Sequence, residues 1–275
     1  QLQNKDFAIL YRTNAQSRAF EDSLRKRNIP YRVYGGLSFY QRKEIKDVLA
    51  YLRLIINEND EEAFKRVINF PTRGIGQTTI NKLVIQANTL NKSLYSLCKE
   101  LDRSEVNISS GIKLKVSNFI NLIESFKISS KTKNAFDIAN EVVNDTGIIK
   151  TYSALTSIED QAKIQNIEEM LNGIKDFVEI QKEIPESTGS ISEFLEDVAL
   201  ATDLDKDDQD TNKVALMTIH LAKGLEFPIV YIVGLEENLF PSAMNLNSRN
   251  DLEEERRLFY VALTRAEKEA YLSYA

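Results

Sequence analysis

One histidine stands in the chain, His220, within the densest run of chemically capable residues, 217–228 (MTIHLAKGLEFP). Thr218, Lys223, Gly224 and Glu226 share that short stretch. An imidazole changes protonation near neutrality, and hydroxyl and ammonium groups donate to phosphate oxygens. A carboxylate such as Glu226 can accept from a sugar hydroxyl, and Gly224 lets the backbone turn or approach a ligand closely. This company argues for function over simple packing at His220. A second run, 253–268 (EEERRLFYVALTRAEK), carries Arg265 just after the apolar stripe Leu258, Val261 and Ala262. An arginine there can project from a domain edge and bring a planar cation to a phosphoryl group in transfer. The alternative for Arg265 is a surface ion pair. Arg256 and Arg257 read as structural partners of Glu253, Glu254 and Glu255, whose charge suits the first turn of a helix. A third run, 11–18 (YRTNAQSR), gathers Arg12, Thr13, Asn14, Gln16 and Ser17 as donors for phosphate, with Ser17 also a candidate N-cap. The fourth, 73–79 (RGIGQTT), has a Gly-x-Gly turn opening a helix, where backbone N–H groups face an anion.

The elements that must position these runs follow from a hydrophobic pattern that changes twice. Residues 7–11 (FAILY) and 31–34 are predicted strands, the second ended by Gly35-Gly36. Residues 17–27 have helical spacing, and 42–56 a helix stripe at Ile45, Val48, Leu49, Leu52 and Ile56. From 57 to 205 the strand signal disappears and helical repeats such as Ile164, Ile167, Leu171, Ile174 and Val178 take over. Pro71, Pro185 and loops near 104–110 and 186–190 interrupt them. Then 214–219 (VALMTI) and 229–233 (IVYIV) return as near-continuous apolar runs, suited to a parallel sheet covered on both faces. A helix over 251–263 and a last strand over 270–273 close the chain. The pattern predicts an α/β domain, a parallel sheet flanked by helices from 1–56 and 206–275, interrupted by an inserted all-α domain over 57–205. Open parallel sheets hold ligands at the carboxyl ends of their strands, so the polar groups after 214–219 are expected there.

Composition narrows the classes. No apolar run nears the roughly 18 residues of a membrane span, and no secretory leader is evident, so no membrane is expected. The absence of an initial Met suggests an excised fragment. The single cysteine, Cys98, excludes an internal disulfide and a cysteine-cluster metal site, and a reducing cytoplasm suits it. Its predicted role is a small buried hydrophobe on a helix. A net charge of −6 argues at first against nucleic acid. Yet residues 1–55 hold 11 Lys/Arg against five Asp/Glu, which makes them +6 and the remainder −12. A basic segment can track a phosphate backbone because screening confines the attraction to about 10 Å. The plain alternative is a solvated helix face at Arg25-Lys26-Arg27. None of the ten glycines forms a phosphate-binding G-x-x-x-x-G-K-[ST] loop. Asp60-Glu61-Glu62 follows polar residues instead of an apolar strand and reads as a helix start. No residue set here suggests a metal site.

Taken in order, DFAILYRTNAQSR, YRVYGGLSFYQRKEIKD, NFPTRGIGQTT, MTIHLAKGLEFPIVYIVGLEENLFP and EEERRLFYVALTRAE closely resemble the C-terminal half of UvrD/PcrA/Rep-type superfamily 1A DNA helicases. The resemblance implies that 1–56 and 206–275 form a second RecA-like motor domain, 2A, incomplete at its N-terminus. It implies that 57–205 form the mobile insertion, 2B. Glu226 would bind the ATP ribose, with Gly224 beside it, and Arg265 would contact the γ-phosphate as an arginine finger. Arg12, Asn14 and His220 would contact single-stranded DNA, while Gly74, Ile75, Gly76 and Thr79 would touch duplex ahead of the fork. ATP with Mg2+ would be bound jointly with a first RecA-like domain, and family members move 3′ to 5′ in DNA repair or replication. The implied partners are single-stranded DNA, the single-strand/duplex junction, the first RecA-like domain, and repair proteins through the helical insertion. Lacking the phosphate-binding loop, this chain alone is expected not to hydrolyse ATP. Two alternatives are a DNA-binding or partner-docking module without a motor, and part of a RecB/AddA-like helicase–nuclease. Glu226 and Arg265 favour a motor, because a pure binding module has no need of groups facing ATP.

Overall fold

A computed structural model describes residues 2–103, 106–154, 157–204, 211–237, 239–242 and 249–274. Two compact units divide the chain, one from residues 1–42 and 200–275, the other from 43–199. In the first unit five strands form one parallel sheet: β1 (Phe7–Tyr11), β2 (Tyr31–Val33), β3 (Val214–Thr218), β4 (Phe227–Ile232) and β5 (Ala266–Leu272). Their order across the sheet is β2-β3-β1-β4-β5. Helix α1 (Ser17–Lys26) joins β1 to β2. Between β2 and β3 run α2 (Lys43–Ile56), α3 (Glu61–Val67), α4 (Gln77–Thr89), α5 (Leu94–Lys99), α6 (Ser110–Ser129), α7 (Ala135–Asp145), α8 (Ile148–Ser153), α9 (Ile158–Gln181) and α10 (Ile191–Leu204). Finally, α11 (Arg249–Leu263) joins β4 to β5. The fold class matches the sequence pattern: a parallel α/β sheet with a helical insertion between strands.

Alternation along the strands divides the sheet's two faces. Ala8 and Leu10 of β1, Ala215 and Met217 of β3, and Val230 and Ile232 of β4 form one core with Leu258 and Ala262 of α11. Tyr11 and Leu216 point the other way and pack with Phe20 and Leu24 of α1. Helices therefore cover both faces of the inner strands, which is why those strands read as unbroken apolar runs. β5 is different. It starts at Ala266, four residues before the predicted strand, because Glu267, Lys268 and Glu269 hide it from a hydrophobicity reading. Its place rests mainly on backbone pairing with β4, in register Val230↔Ala270 and Tyr231↔Tyr271, with Ala266 packed against the core. The two tyrosines stack at 4.9 Å and lie partly open to solvent.

The helical unit is built around α2. Ten of its fourteen residues are buried, on every side, as expected of a helix surrounded by others. It packs on α3, α6, α7 and α9. So α2, grouped by its sequence position with the outer segments, makes its core with the insertion, and the units divide just before it. Its two buried acids have partners: Asp47 meets Arg66 at 2.7 Å, and Glu44 accepts from Asn166 at 2.5 Å. Asp60 caps α3 by accepting from the Ala63 N–H at 2.9 Å, so the acidic run there is a helix start. Cys98 is buried on α5, and burial pushes its thiol up to about 12. Phe64 sits edge-on against Phe119 at 5.6 Å and Tyr95 at 6.1 Å, which links α3, α5 and α6. Replacing it with alanine leaves a cavity that these rings cannot close. Phe64→Ala is expected to destabilise the helical unit by about 3–5 kcal/mol, read from urea unfolding of the helical signal.

Candidate functional site

The connection from β1 leaves toward β2 while that from β4 leaves toward β5, so the sheet has its switch point between these neighbours. The loop after β1 carries Arg12, Thr13 and Asn14, and that after β3 carries His220. All emerge at the carboxyl edge, because β1 pairs with β3 in register up to Tyr11↔Thr218. Arg12 is held at both ends. Its backbone N–H donates to Gln16 Oε1 at 3.0 Å, and its guanidinium grips the Glu255 carboxylate through Nη2 at 2.8 Å and Nε at 3.1 Å. Its side chain is only 15% exposed. That leaves three of the five guanidinium donors, both on Nη1 and one on Nη2, unused by Glu255. Asn14 opens a 3-10 turn (Asn14–Gln16) and is exposed. Ser17, a predicted N-cap, is instead the first residue of α1, buried, with its hydroxyl accepting from Arg42 at 2.7 Å.

His220 lies at the surface of this edge. Its pKa falls below the ordinary histidine value because the surrounding chain partly desolvates the ring and Arg12 adds positive charge, against opposing pulls from Glu255 and Glu254. The imidazole is therefore neutral at pH 7 and can stack or hydrogen-bond without contributing charge. The segment after β2 packs closely on the turn that carries it: Gly35 has φ +71°, and a Cβ there would lie 2.3 Å from the Leu221 side chain.

Glu226 is a different matter. The sequence pattern predicts it beside His220 at the carboxyl edge, but it immediately precedes β4 and so stands at the amino edge. Parallel pairing forces this, since the β3–β4 connection must cross the whole sheet. Arg265 immediately precedes β5 at the same edge, and its carbonyl accepts from the Phe227 N–H at 2.9 Å. The Arg265 guanidinium donates to the carbonyls of Val261 at 3.1 Å and Leu225 at 2.9 Å. It thus ties the end of α11 to the residue next to Glu226. Arg265 and Glu226 make no ion pair among the described residues. Gly224 has φ +91° in open space, so its requirement is conformational.

In the helical unit, the 73–79 turn is anchored from inside. Asn69 Oδ1 accepts the N–H groups of Arg73 at 2.9 Å and Ile75 at 3.0 Å. The Arg73 guanidinium turns inward to the carbonyls of Val67 and Pro71 and to the Tyr51 hydroxyl, and lies over the Phe119 ring. Ile75 is fully buried with its N–H engaged. It is an anchor, which corrects its place among ligand-facing residues. Gly74, Gly76 and Thr79 remain at the surface or near it. Gly76 is the N-cap residue of α4, with nothing within 4 Å of an added Cβ, and the ammonium of Lys115 comes over Gly74.

Two residues with no functional signal in the sequence also belong to these sites: Glu255 fixes Arg12, and Asn69 fixes the turn before α4. Gln16, a candidate phosphate donor by sequence, instead holds the Arg12 N–H.

The first unit is thus a parallel α/β domain with an imidazole and a guanidinium at one edge of the sheet and an arginine and a glutamate at the other, interrupted by a helical insertion. The chain matches the UvrD-like helicase C-terminal domain over residues 1–275 and belongs to that family. It is 41% identical over 273 residues to the ATP-dependent DNA helicase PcrA of Staphylococcus aureus (strain Mu50 / ATCC 700699), covering 98% of this chain and 37% of that protein. It is equally 41% identical over 271 residues to the ATP-dependent DNA helicase PcrA of Leuconostoc citreum, covering 98% and 36%. The chain thus spans little more than a third of the curated relatives it matches. No helix among the described residues is long and apolar enough to cross a membrane.

Because His220 is the only histidine, its ring signals titrate alone. Their midpoint is expected below 6.5, and Arg12→Gln should move it upward by removing the nearby positive charge, as proton NMR against pH would record.

Proposed function

We propose that this chain is the second motor domain, 2A, with its 2B insertion, of an ATP-dependent 3′–5′ DNA helicase acting in repair or replication. The observation that carries the reading is the division of functional groups between opposite edges of one sheet. Arg12, Asn14 and His220 at the carboxyl edge face single-stranded DNA. Glu226 and Arg265 at the amino edge, with Gly224 shaping the loop, face the ribose and γ-phosphate of ATP. The nucleotide itself is held mainly by a first RecA-like domain that carries a phosphate-binding loop, since this chain has none. Electrostatic stabilisation of phosphoryl transfer needs preorganised groups on both sides of the phosphate, and this chain supplies one side. Magnesium would be held jointly by the nucleotide and that first domain, and no three His, Cys, Asp or Glu gather into a site of their own among the described residues here. The helical unit contributes Gly74, Gly76 and Thr79, near the N-terminus of α4, to the phosphates of duplex at the single-strand junction. Its outer surface is also the reading's place for repair-protein partners.

Two experiments test this in the helicase assembled with its first motor domain. Arg265→Ala should lower kcat by on the order of 10³-fold with a modest change in ATP affinity, because the cation acts on charge developing at transfer. A variant within about twofold of wild type makes Arg265 a structural tie alone. The second separates the DNA surfaces. His220→Ala should weaken single-strand binding and single-strand-stimulated ATPase, with little change in salt dependence because the ring is neutral. Gly76→Asp should spare both and weaken binding to a tailed duplex in a salt-sensitive way. Aspartate is also a favourable N-cap and meets open space at 76, so the variant should melt no earlier than wild type. Equal losses on single-stranded and tailed DNA would make the turn a folding element.

A further inference from the structure

The Arg12 side chain depends on a residue 243 positions away. Glu255 is 3% exposed, and both its oxygens accept from Arg12 Nε at 3.1 Å while Oε1 also accepts from Nη2 at 2.8 Å. Its Oε2 accepts in addition from the Ser242 N–H at 3.3 Å. One buried carboxylate on α11 therefore ties together the loop after β1 and the segment after β4. On the other side of that segment, Gly234 lets the Gln16 amide close in: a Cβ at 234 would lie 2.2 Å from Gln16 Nε2. Gln16 Oε1 in turn accepts from the N–H groups of Arg12 and Thr13, at 3.0 Å each.

We infer that Glu255 is a positioning residue for single-strand binding, which it serves by orienting Arg12 beside His220 at the carboxyl edge. The inference rests on the proposed DNA-facing role of Arg12. A carboxylate this close to a phosphate track would ordinarily repel DNA, and its removal raises the charge of the edge by one. Simple electrostatics therefore predicts tighter binding for Glu255→Gln. Positioning predicts the reverse, because an unclamped Arg12 loses its preorganised fork.

The test uses the 275-residue chain and a short oligothymidylate. Glu255→Gln should weaken binding about tenfold with Arg12 present, and have no further effect in an Arg12→Gln background. Unchanged or tighter binding, or an equal loss in both backgrounds, overturns the inference. Should Glu255→Gln fail to fold, Arg12→Lys keeps the charge but cannot make the paired contact. It should lose affinity comparably, and wild-type affinity would overturn the inference. If Arg12→Gln and His220→Ala themselves leave binding unchanged, the DNA reading fails, and the His220 titration judges Glu255 separately. Arg12 acts on that ring more strongly than Glu255 does. An upward shift in Glu255→Gln means Arg12 has swung away, as expected. A downward shift means Arg12 stays without its clamp, and the inference is wrong.

Discussion

In a sheet whose strands all run one way, every connection must start at one edge and finish at the other. This constraint decides where each group in the first unit can act. His220 and Glu226 are six residues apart, yet the crossover from β3 to β4 delivers them to opposite edges. The same rule places Arg12 next to His220 and Arg265 next to Glu226, although the members of each pair are far apart in sequence. α11 runs against the strands and spans the same distance in the other direction. Glu255, midway along it, holds Arg12 at one edge, and Arg265 just past its end reaches the other. The eight helical steps from Glu255 to Leu263, about 12 Å, rigidly separate those two attachments.

Much of this was legible in the sequence. The apolar runs at β1, β3 and β4 announced buried parallel strands, and the loss of strand signal after residue 56 announced an insertion. His220, Glu226 and Arg265 stood out by type and company. What the sequence hid follows one physical rule: a side chain's partners across the fold leave no local pattern. Glu255 looked like one of three glutamates favouring a helix dipole. Arg256 and Arg257 do pair along the helix with Glu253 and Glu254, at 2.7 and 3.3 Å, but Glu255 turns inward. Arg25 likewise looked solvated, while the structure pairs it with Asp22 and the Tyr31 hydroxyl. The first half of β5 has no hydrophobic pattern because Glu267, Lys268 and Glu269 are exposed and pair through their backbone.

The helical unit uses polar groups in the same inward manner. Arg73, adjacent to the glycine turn, spends its donors on carbonyls of the chain just before it and on Tyr51 of the central helix. Asn69 gathers two N–H groups of the turn. The glycine turn is therefore bonded to the core of its own unit, while Gly76 itself faces open space.

The exposure of β5 has a consequence for the chain in concentrated solution. Within the described residues it is an edge strand with a stacked tyrosine pair on its surface, the type of surface on which a second molecule can add a strand. Glu267, Lys268 and Glu269 occupy its first half. Their alternating charges make in-register self-pairing unfavourable, since like charges would meet in a parallel ladder. These residues, which made β5 hard to see, act as gatekeepers of colloidal stability, and screening by added salt weakens their protection.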